Sequence, residues 1–399
     1  MKSIYFDVNV AKILATKALS GIFPFVYYSP ISPVRYGDIP ERDLPGSRWV
    51  RVKNILTGIC GADISMFYVK ASPKISIAAL PGVPRAYMGH EVIGKVIETG
   101  DEVRGLKVGD RVTLQKYLPC CSMKDITPPC IHCREGNYTL CENFSEGTMP
   151  ENLGAGFGDH FIAHQSQLVR VPDAIPDDSA VLIEPAAVSL HSVLKRPPRN
   201  KEKVLVIGAG TIGLNVIQFA KVINPRCTLY LLERIAFKQE LGLKLGADHL
   251  IEGDPYESIS QLTGGKLYRA PLGNNNILGG FDLIYDCVGY SKTINDALRW
   301  LKAKGTYVMI GNQLEPVCFD QTPLWQQELT MMGINAHGCE EYKGKRISSF
   351  DLAIDMIKKK KVNLKDFVTH RFSLKEYKKA FALVKDKSEK VIKAVFEIG

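Results

Sequence analysis

The chain has 399 residues, 45% of them apolar, and a formal net charge of +9. That length exceeds one simple domain and leads us to expect two cores. The positive charge comes without an interleaved basic and aromatic stripe, so the lysine run at 358–361 reads as a solvated helix face and nucleic acid is set aside as a partner. The apolar stretch at residues 11–28 is interrupted by Lys12, Lys17 and Pro24, so it is a poor membrane span, and it lacks a signal-peptide layout. A soluble, cytoplasmic protein with no membrane partner is expected. Five of the ten cysteines crowd between Cys120 and Cys141, which favours metal ligation over disulfides.

In chain order, residues 49–112 alternate short β-rich runs with glycine turns, as in Trp49-Val-Arg-Val-Lys and Val92-Ile-Gly-Lys-Val-Ile. After Pro185 the pattern changes. Lys203-Val-Leu-Val-Ile leads through glycines into an apolar-periodic helix at 212–222, and further strands are expected at 228–232, 249–251, 281–285, 306–310 and 329–332. Strands separated by helices favour a parallel, doubly wound sheet with right-handed crossovers. The stretch 263–280, rich in glycine and asparagine, reads as an insertion or loop before a strand. From about residue 335 the alternation is lost, and the tail is expected to return to the first domain.

Gly208-Ala-Gly-Thr-Ile-Gly213 follows one expected strand and opens a helix. Glycines there permit a tight turn, approach of a pyrophosphate to the backbone and close helix packing. Glu233 ends the next strand, where a carboxylate can accept hydrogen bonds from ribose hydroxyls and repel a 2′-phosphate. Gly208, Gly210, Ile212, Gly213, Glu233 and Arg234 are therefore candidate cofactor residues. NAD is favoured over NADP, with Arg234 keeping the phosphorylated cofactor open.

Cys121-x8-Cys130-x2-Cys133-x7-Cys141 supplies four thiolates, enough for a closed structural zinc site, with Cys120 the competing first ligand. A second constellation is dispersed: Cys60 in Gly58-Ile-Cys-Gly-Ala-Asp63, His90 in Gly89-His-Glu91 and Glu184 in Ile183-Glu-Pro185. A thiolate, an imidazole and a carboxylate can hold zinc and leave a position open. Singly, each has an ordinary reading as a buried cysteine, a core histidine or a helix-starting glutamate, and sequence distance does not join them.

Gly89-His-Glu-x2-Gly94-x5-Gly100-x2-Val103 resembles the signature of the zinc-containing alcohol dehydrogenases. The Cys60 motif, the cysteine lobe, the glycine fingerprint and Asp286-Cys-Val-Gly289 stand in that family's order, and the pattern is most similar to the threonine and polyol dehydrogenase branch. The resemblance implies a β-rich GroES-like catalytic domain at 1–187 with a zinc lobe about 120–142, a Rossmann domain at 188–334 and a return to the catalytic domain at 335–399. It implies Cys60, His90 and Glu184 as catalytic zinc ligands, Glu91 as an alternating ligand or neighbour, and Asp63 as the acid that orients the histidine.

Two departures stand out. Ala62 replaces the hydroxyl residue that relays the alcohol proton in many relatives, leaving Ser65, water or Glu91. The family's common lobe spacing would put the first ligand at Thr127, and Cys121 fits a variant with a longer first gap.

The expected function is hydride transfer between an alcohol (a secondary alcohol, polyol or amino alcohol) and a nicotinamide cofactor, in a homodimer or homotetramer. The alternatives are a zinc-independent quinone or alkene reductase and a non-catalytic nucleotide-binding protein on the same fold.

Overall fold

The computed structural model describes residues 1–70, 72, 84–115, 119–147, 149–311, 313–386 and 390–399. The chain forms two compact units, residues 1–184 with 364–399, and residues 185–363.

The strands of the first unit are β1 (Lys2–Asp7), β2 (Val34–Asp38), β3 (Trp49–Gly58), β4 (Arg85–Tyr87), β5 (Glu91–Thr99), β6 (Arg111–Leu114), β7 (His160–His164) and β8 (Leu168–Arg170), joined late in the chain by β19 (Val368–Phe372) and β20 (Lys393–Glu397). A sheet of order β19-β20-β3-β5-β6-β8, with β7 also on β3, carries the unit, and β2-β1-β4 form a smaller sheet. The alternation read at 49–53 places Val50 and Val52 inward, where they pack with Val92, Val96, Val112 and Phe161. A second cluster around Phe67, Phe157, Phe381 and Phe396 joins the C-terminal segment to the first. One consequence matters for the site: β5, β3 and β20 are neighbours, with Gly58 opposite both Glu91 and Val395.

The second unit holds β9 (Lys203–Ile207), β10 (Thr228–Leu232), β11 (His249–Leu250), β12 (Lys266–Tyr268), β13 (Asn276–Leu278), β14 (Phe281–Asp286), β15 (Leu301–Met309), β16 (Thr330–Gly333), β17 (Cys339–Tyr342) and β18 (Lys345–Ser348). Six of them form an all-parallel sheet of order β11-β10-β9-β14-β15-β16. Val204, Leu205, Val206 and Ile207 are all buried, as a strand covered on both faces requires. Strand order reverses between β9 and β14, and such a switch point opens a ligand crevice at the carboxyl ends of the strands. The doubly wound sheet read from the sequence is present.

One local expectation is refined and another corrected. The stretch 263–280, read as an insertion or loop, does precede strand β14, but it contains a short antiparallel hairpin, β12 on β13, whose fully buried Ile277 ties it to the core. The chain returns to the first unit at Leu364, not near residue 335. After β16 it makes the β17–β18 hairpin and the helix Ser349–Lys358, which stay in the second unit. Glu340 Oε1 lies 2.6 Å from His191 Nδ1, while Asn363 N donates to Gln218 Oε1 at 2.6 Å and Gln218 Nε2 donates back to Asn363 O at 3.2 Å.

Candidate functional site

In the first unit, β3 ends at Gly58 and the chain turns through Ile59 into the helix Gly61–Phe67, which Cys60 caps. Asp63 sits in the first turn of that helix. Its carboxylate accepts from Cys60 N at 2.9 Å and from Gly89 N at 3.1 Å, so one buried side chain fixes the backbone at Cys60 and immediately before His90. Cys60, His90 and Glu91 come together with their ligand atoms all within 4.8 Å of one another. Glu184 stands outside that set. It is buried in the first turn of the helix Ile183–Lys195, where the helix dipole favours a carboxylate, and it interacts electrostatically with His90.

The sequence reading missed Lys393. This buried lysine, the first residue of β20, donates to both Glu91 oxygens at 2.7 and 2.5 Å and to Ile59 O at 3.1 Å. A β-carbon at Gly58 would collide with the Glu91 carboxylate and press on the Lys393 stem, so glycine there makes room for the ion pair. The one available signal was a lysine interrupting the apolar run Val391-Ile-Lys-Ala-Val-Phe.

Around this cluster Cys60, Asp63, Glu91 and Glu184 are acidic groups, and Lys393 is the fixed cation. Burial lowers the His90 pKa, but Cys60, Asp63 and Glu184 outweigh it and raise that pKa well above the usual imidazole range. Burial pushes Glu184 up to about 7 and raises Asp63. The cluster gathers protons where positive charge is wanted. A soft thiolate, an imidazole and a carboxylate form a donor set suited to zinc, and Cys60 and His90 are only half-buried, which leaves a side open.

The four-cysteine lobe also closes. Cys121, Cys130, Cys133 and Cys141 offer sulfurs within 4.8 Å of one another, and Cys120 lies outside the set. Cys130 N and Asn143 Nδ2 donate to Cys121 Sγ at 3.4 and 3.5 Å, and Cys133 N donates to Cys130 Sγ at 3.5 Å, bonds that suit sulfur carrying negative charge. Burial pushes the Cys130 thiol up, but backbone donors at Cys133 and Glu142 bring it down to about 7. Burial raises Cys133 and Cys141.

In the second unit, Gly208 adopts φ +88° directly after β9, and a β-carbon at Gly213 would run into Gly208 O. Those two glycines let the helix Thr211–Ile223 start against the strand. At its N-cap, Gly210 has nothing within 4 Å of a β-carbon position, which leaves space for a pyrophosphate at the helix N-terminus. Glu233 ends β10. Its Oε2 accepts from Ala209 N at 2.8 Å and its Oε1 from Arg234 N and Ile235 N at 2.7 and 3.0 Å, so the acid is pinned beside the glycine turn. Ile212 is half-buried on the same helix, and Arg234 is exposed beside the acid.

Comparison with known proteins follows the same division. Residues 46–173 match the alcohol dehydrogenase GroES-like domain and residues 211–351 match the zinc-binding dehydrogenase domain. The chain belongs to the zinc-containing alcohol dehydrogenase family. This dehydrogenase is 28% identical over 348 residues to sorbitol dehydrogenase of Halalkalibacterium halodurans, covering 86% of this chain and 90% of that protein. It is 28% identical to L-idonate 5-dehydrogenase of Vitis vinifera, covering 83% of each. Galactitol-1-phosphate dehydrogenase from Escherichia coli shares the fold, with a TM-score of 0.72 at 21% identity over 100% of both chains.

Proposed function

We propose that this dehydrogenase transfers hydride between NAD and a polyol or related secondary alcohol, with Cys60, His90 and Glu184 as ligands of a catalytic zinc and Glu91 as an alternate ligand. The observation that carries the reading is the convergence of Cys60, His90 and Glu91, with Glu184 acting on the same histidine, in a pocket rich in acid groups. Bound there, zinc would supply the Lewis acidity that lowers a hydroxyl pKa, and NAD would supply the hydride acceptor. The chain's own contribution is positioning. Asp63 sets the backbone at two ligands, and Lys393 draws Glu91 to one side, so that three donors and an open position remain. Ala62 cannot carry a proton, which leaves Ser65 one turn on, Glu91 or water to take the hydroxyl proton.

The polyol assignment leans on relatives named for sorbitol, D-arabinitol and L-idonate. A homo-oligomer is supported by β16, whose one strand partner among the described residues is β15, leaving an edge able to pair with a second copy. A cytoplasmic setting is supported by ten cysteines, none in a disulfide. A panel of alcohols, polyols and 3-hydroxy amino acids, assayed with NAD and NADP before and after zinc removal, tests the reading. Zinc-dependent oxidation of polyols is expected; quinone or alkene reduction that survives zinc removal, with no alcohol oxidised, would overturn it.

If the cysteine lobe is a structural site, the purified chain should carry about two zinc ions per subunit. Cys133→Ser should lower that to about one and reduce thermal stability while the catalytic metal stays. Metal analysis showing unchanged zinc in this variant would refute the lobe assignment.

Glu233→Ala should shift the NAD-to-NADP ratio of kcat/KM by about tenfold toward NADP, the worth of a hydrogen bond to a charged acceptor. The variant also loses the tie to Ala209 N, which weakens both cofactors together, so the ratio isolates the ribose contact. An unchanged ratio would mean that Glu233 only braces the turn.

A further inference from the structure

The motif Asp286-Cys-Val-Gly289 closes β14 where the strand order reverses, so its loop is one lip of a crevice whose other lip is the glycine turn after β9. Asp286 is fully buried there, and a carboxylate out of reach of water is a costly way to end a strand unless donors surround it. Three donors reach it. Its Oδ1 accepts from Val288 N at 2.8 Å and from Gly289 N at 3.0 Å, and its Oδ2 accepts from the Tyr307 hydroxyl at 2.8 Å. In the β14–β15 register Tyr307 stands opposite Ile284 and Met309 opposite Asp286, which sets the phenol diagonally beside the carboxylate on one face of the sheet. Burial and the Asp286 charge both raise the Tyr307 pKa, so the phenol stays a donor.

The loop is held in two ways. The sheet itself fixes its start: Cys287 N donates to Ile207 O at 3.0 Å, and Ile310 N and Gly311 N donate to Asp286 O at 3.0 and 2.9 Å. Past that point the Val288 and Gly289 amides turn back onto the Asp286 side chain, and Gln313 Nε2 adds one long bond to Val288 O at 3.4 Å. The fit around Val288 is close. A β-carbon at Gly208 would meet its side chain at 2.7 Å, and one at Gly311 would meet its backbone at 2.5 Å. Val288 thus stands between the glycine turn and the end of β15, half-buried, with its side chain against Gly208.

We propose that Asp286, braced by Tyr307, is a positioning residue for the dinucleotide: without touching it, the carboxylate holds Val288 as the wall of the crevice beside the glycine turn, so that the site is formed before the cofactor arrives. This rests on the reading of that turn as the nucleotide site. The energetics follow from the population of the formed loop. When only a fraction of molecules hold a binding-competent arrangement, apparent affinity falls by that fraction. A hydrogen bond to a charged acceptor is strong enough to move such an equilibrium by about tenfold, and Asp286 gathers three of them.

The test is fluorescence titration of NADH onto the zinc-loaded full chain, well below its unfolding midpoint, together with hydrogen exchange of the Val288 and Gly289 amides in the cofactor-free protein. Asp286→Ala should raise the NADH Kd at least about tenfold and speed exchange at both amides. Tyr307→Phe keeps the ring and removes one donor; it should raise Kd about threefold or more, and it carries the test if Asp286→Ala fails to fold. Asp286→Asn should bind NADH within about threefold of wild type, because the amide oxygen still accepts from the two backbone groups and the amide nitrogen can donate to the Tyr307 hydroxyl. Variants that lose thermal stability yet bind NADH as wild type does would make Asp286 a structural residue only and overturn the proposal while leaving the nucleotide reading intact. Asp286→Asn as weak as Asp286→Ala would also overturn it, since charge and not loop geometry would then be acting. Wild type that binds neither NADH nor NADPH would overturn the nucleotide reading and the proposal with it.

Discussion

His90→Ala is expected to lower alcohol oxidation by about a thousandfold or more, the scale set by losing a Lewis acid's stabilisation of developing charge, while NAD still binds. The substitution leaves Cys60 and Glu184 with an incomplete donor set and removes the group that the surrounding acids act on most strongly. Cofactor binding serves as the folding control, because the glycine turn and Glu233 belong to the second unit and His90 to the first. Bound zinc, NAD affinity and steady-state rate should be measured in one preparation. Rate loss accompanied by loss of NAD binding would report unfolding and not chemistry. Near-normal alcohol oxidation by His90→Ala after chelation would remove zinc from the reaction and return the zinc-independent reductase to first place.

The second unit was legible because its physics is local. A parallel strand buried on both faces reads as a continuous apolar run, as at Val204 to Ile207, and the glycine turn has fixed spacing because Gly208 and Gly213 must pack on each other. Where the second unit ends was not legible. The contacts that keep the segment after β16 there, Glu340 with His191 and Asn363 with Gln218, are side-chain ties across up to 145 positions, and they leave no periodic mark. The metal cluster occupied a middle ground. Cys60, His90 and Glu91 carry no pattern that joins them by spacing, and only the family resemblance did so; the antiparallel pairing of β3 with β5 sets Gly58 opposite Glu91. Lys393 fell outside both kinds of signal. It lies 302 positions from Glu91 and reaches it because β20 pairs with β3, a long-range sheet order that composition and periodicity cannot show.

Lys393→Met is expected to destabilise the zinc-free protein by about 3–5 kcal/mol, the cost of leaving one partner of a buried ion pair without the other. Glu91 is 2% and Lys393 5% exposed, so water cannot easily replace the lost ammonium, and the Ile59 carbonyl loses a donor at the same time. Methionine keeps most of the lysine stem, so the loss reports charge and hydrogen bonding more than packing. If the pair is the cause, Glu91→Gln in the same chain should recover a large part of the deficit, because a neutral amide no longer demands a counter-ion in that pocket. The comparison belongs in urea unfolding of the chelated protein, where metal binding cannot mask the difference. Gly58→Ala offers an independent check, since its added methyl enters the space held by the Glu91 carboxylate and the Lys393 stem without removing either charge. A Lys393→Met variant within about 1 kcal/mol of wild type, with no rescue by Glu91→Gln, would fall in the range of an exposed pair and show that the lysine does not hold Glu91 in place.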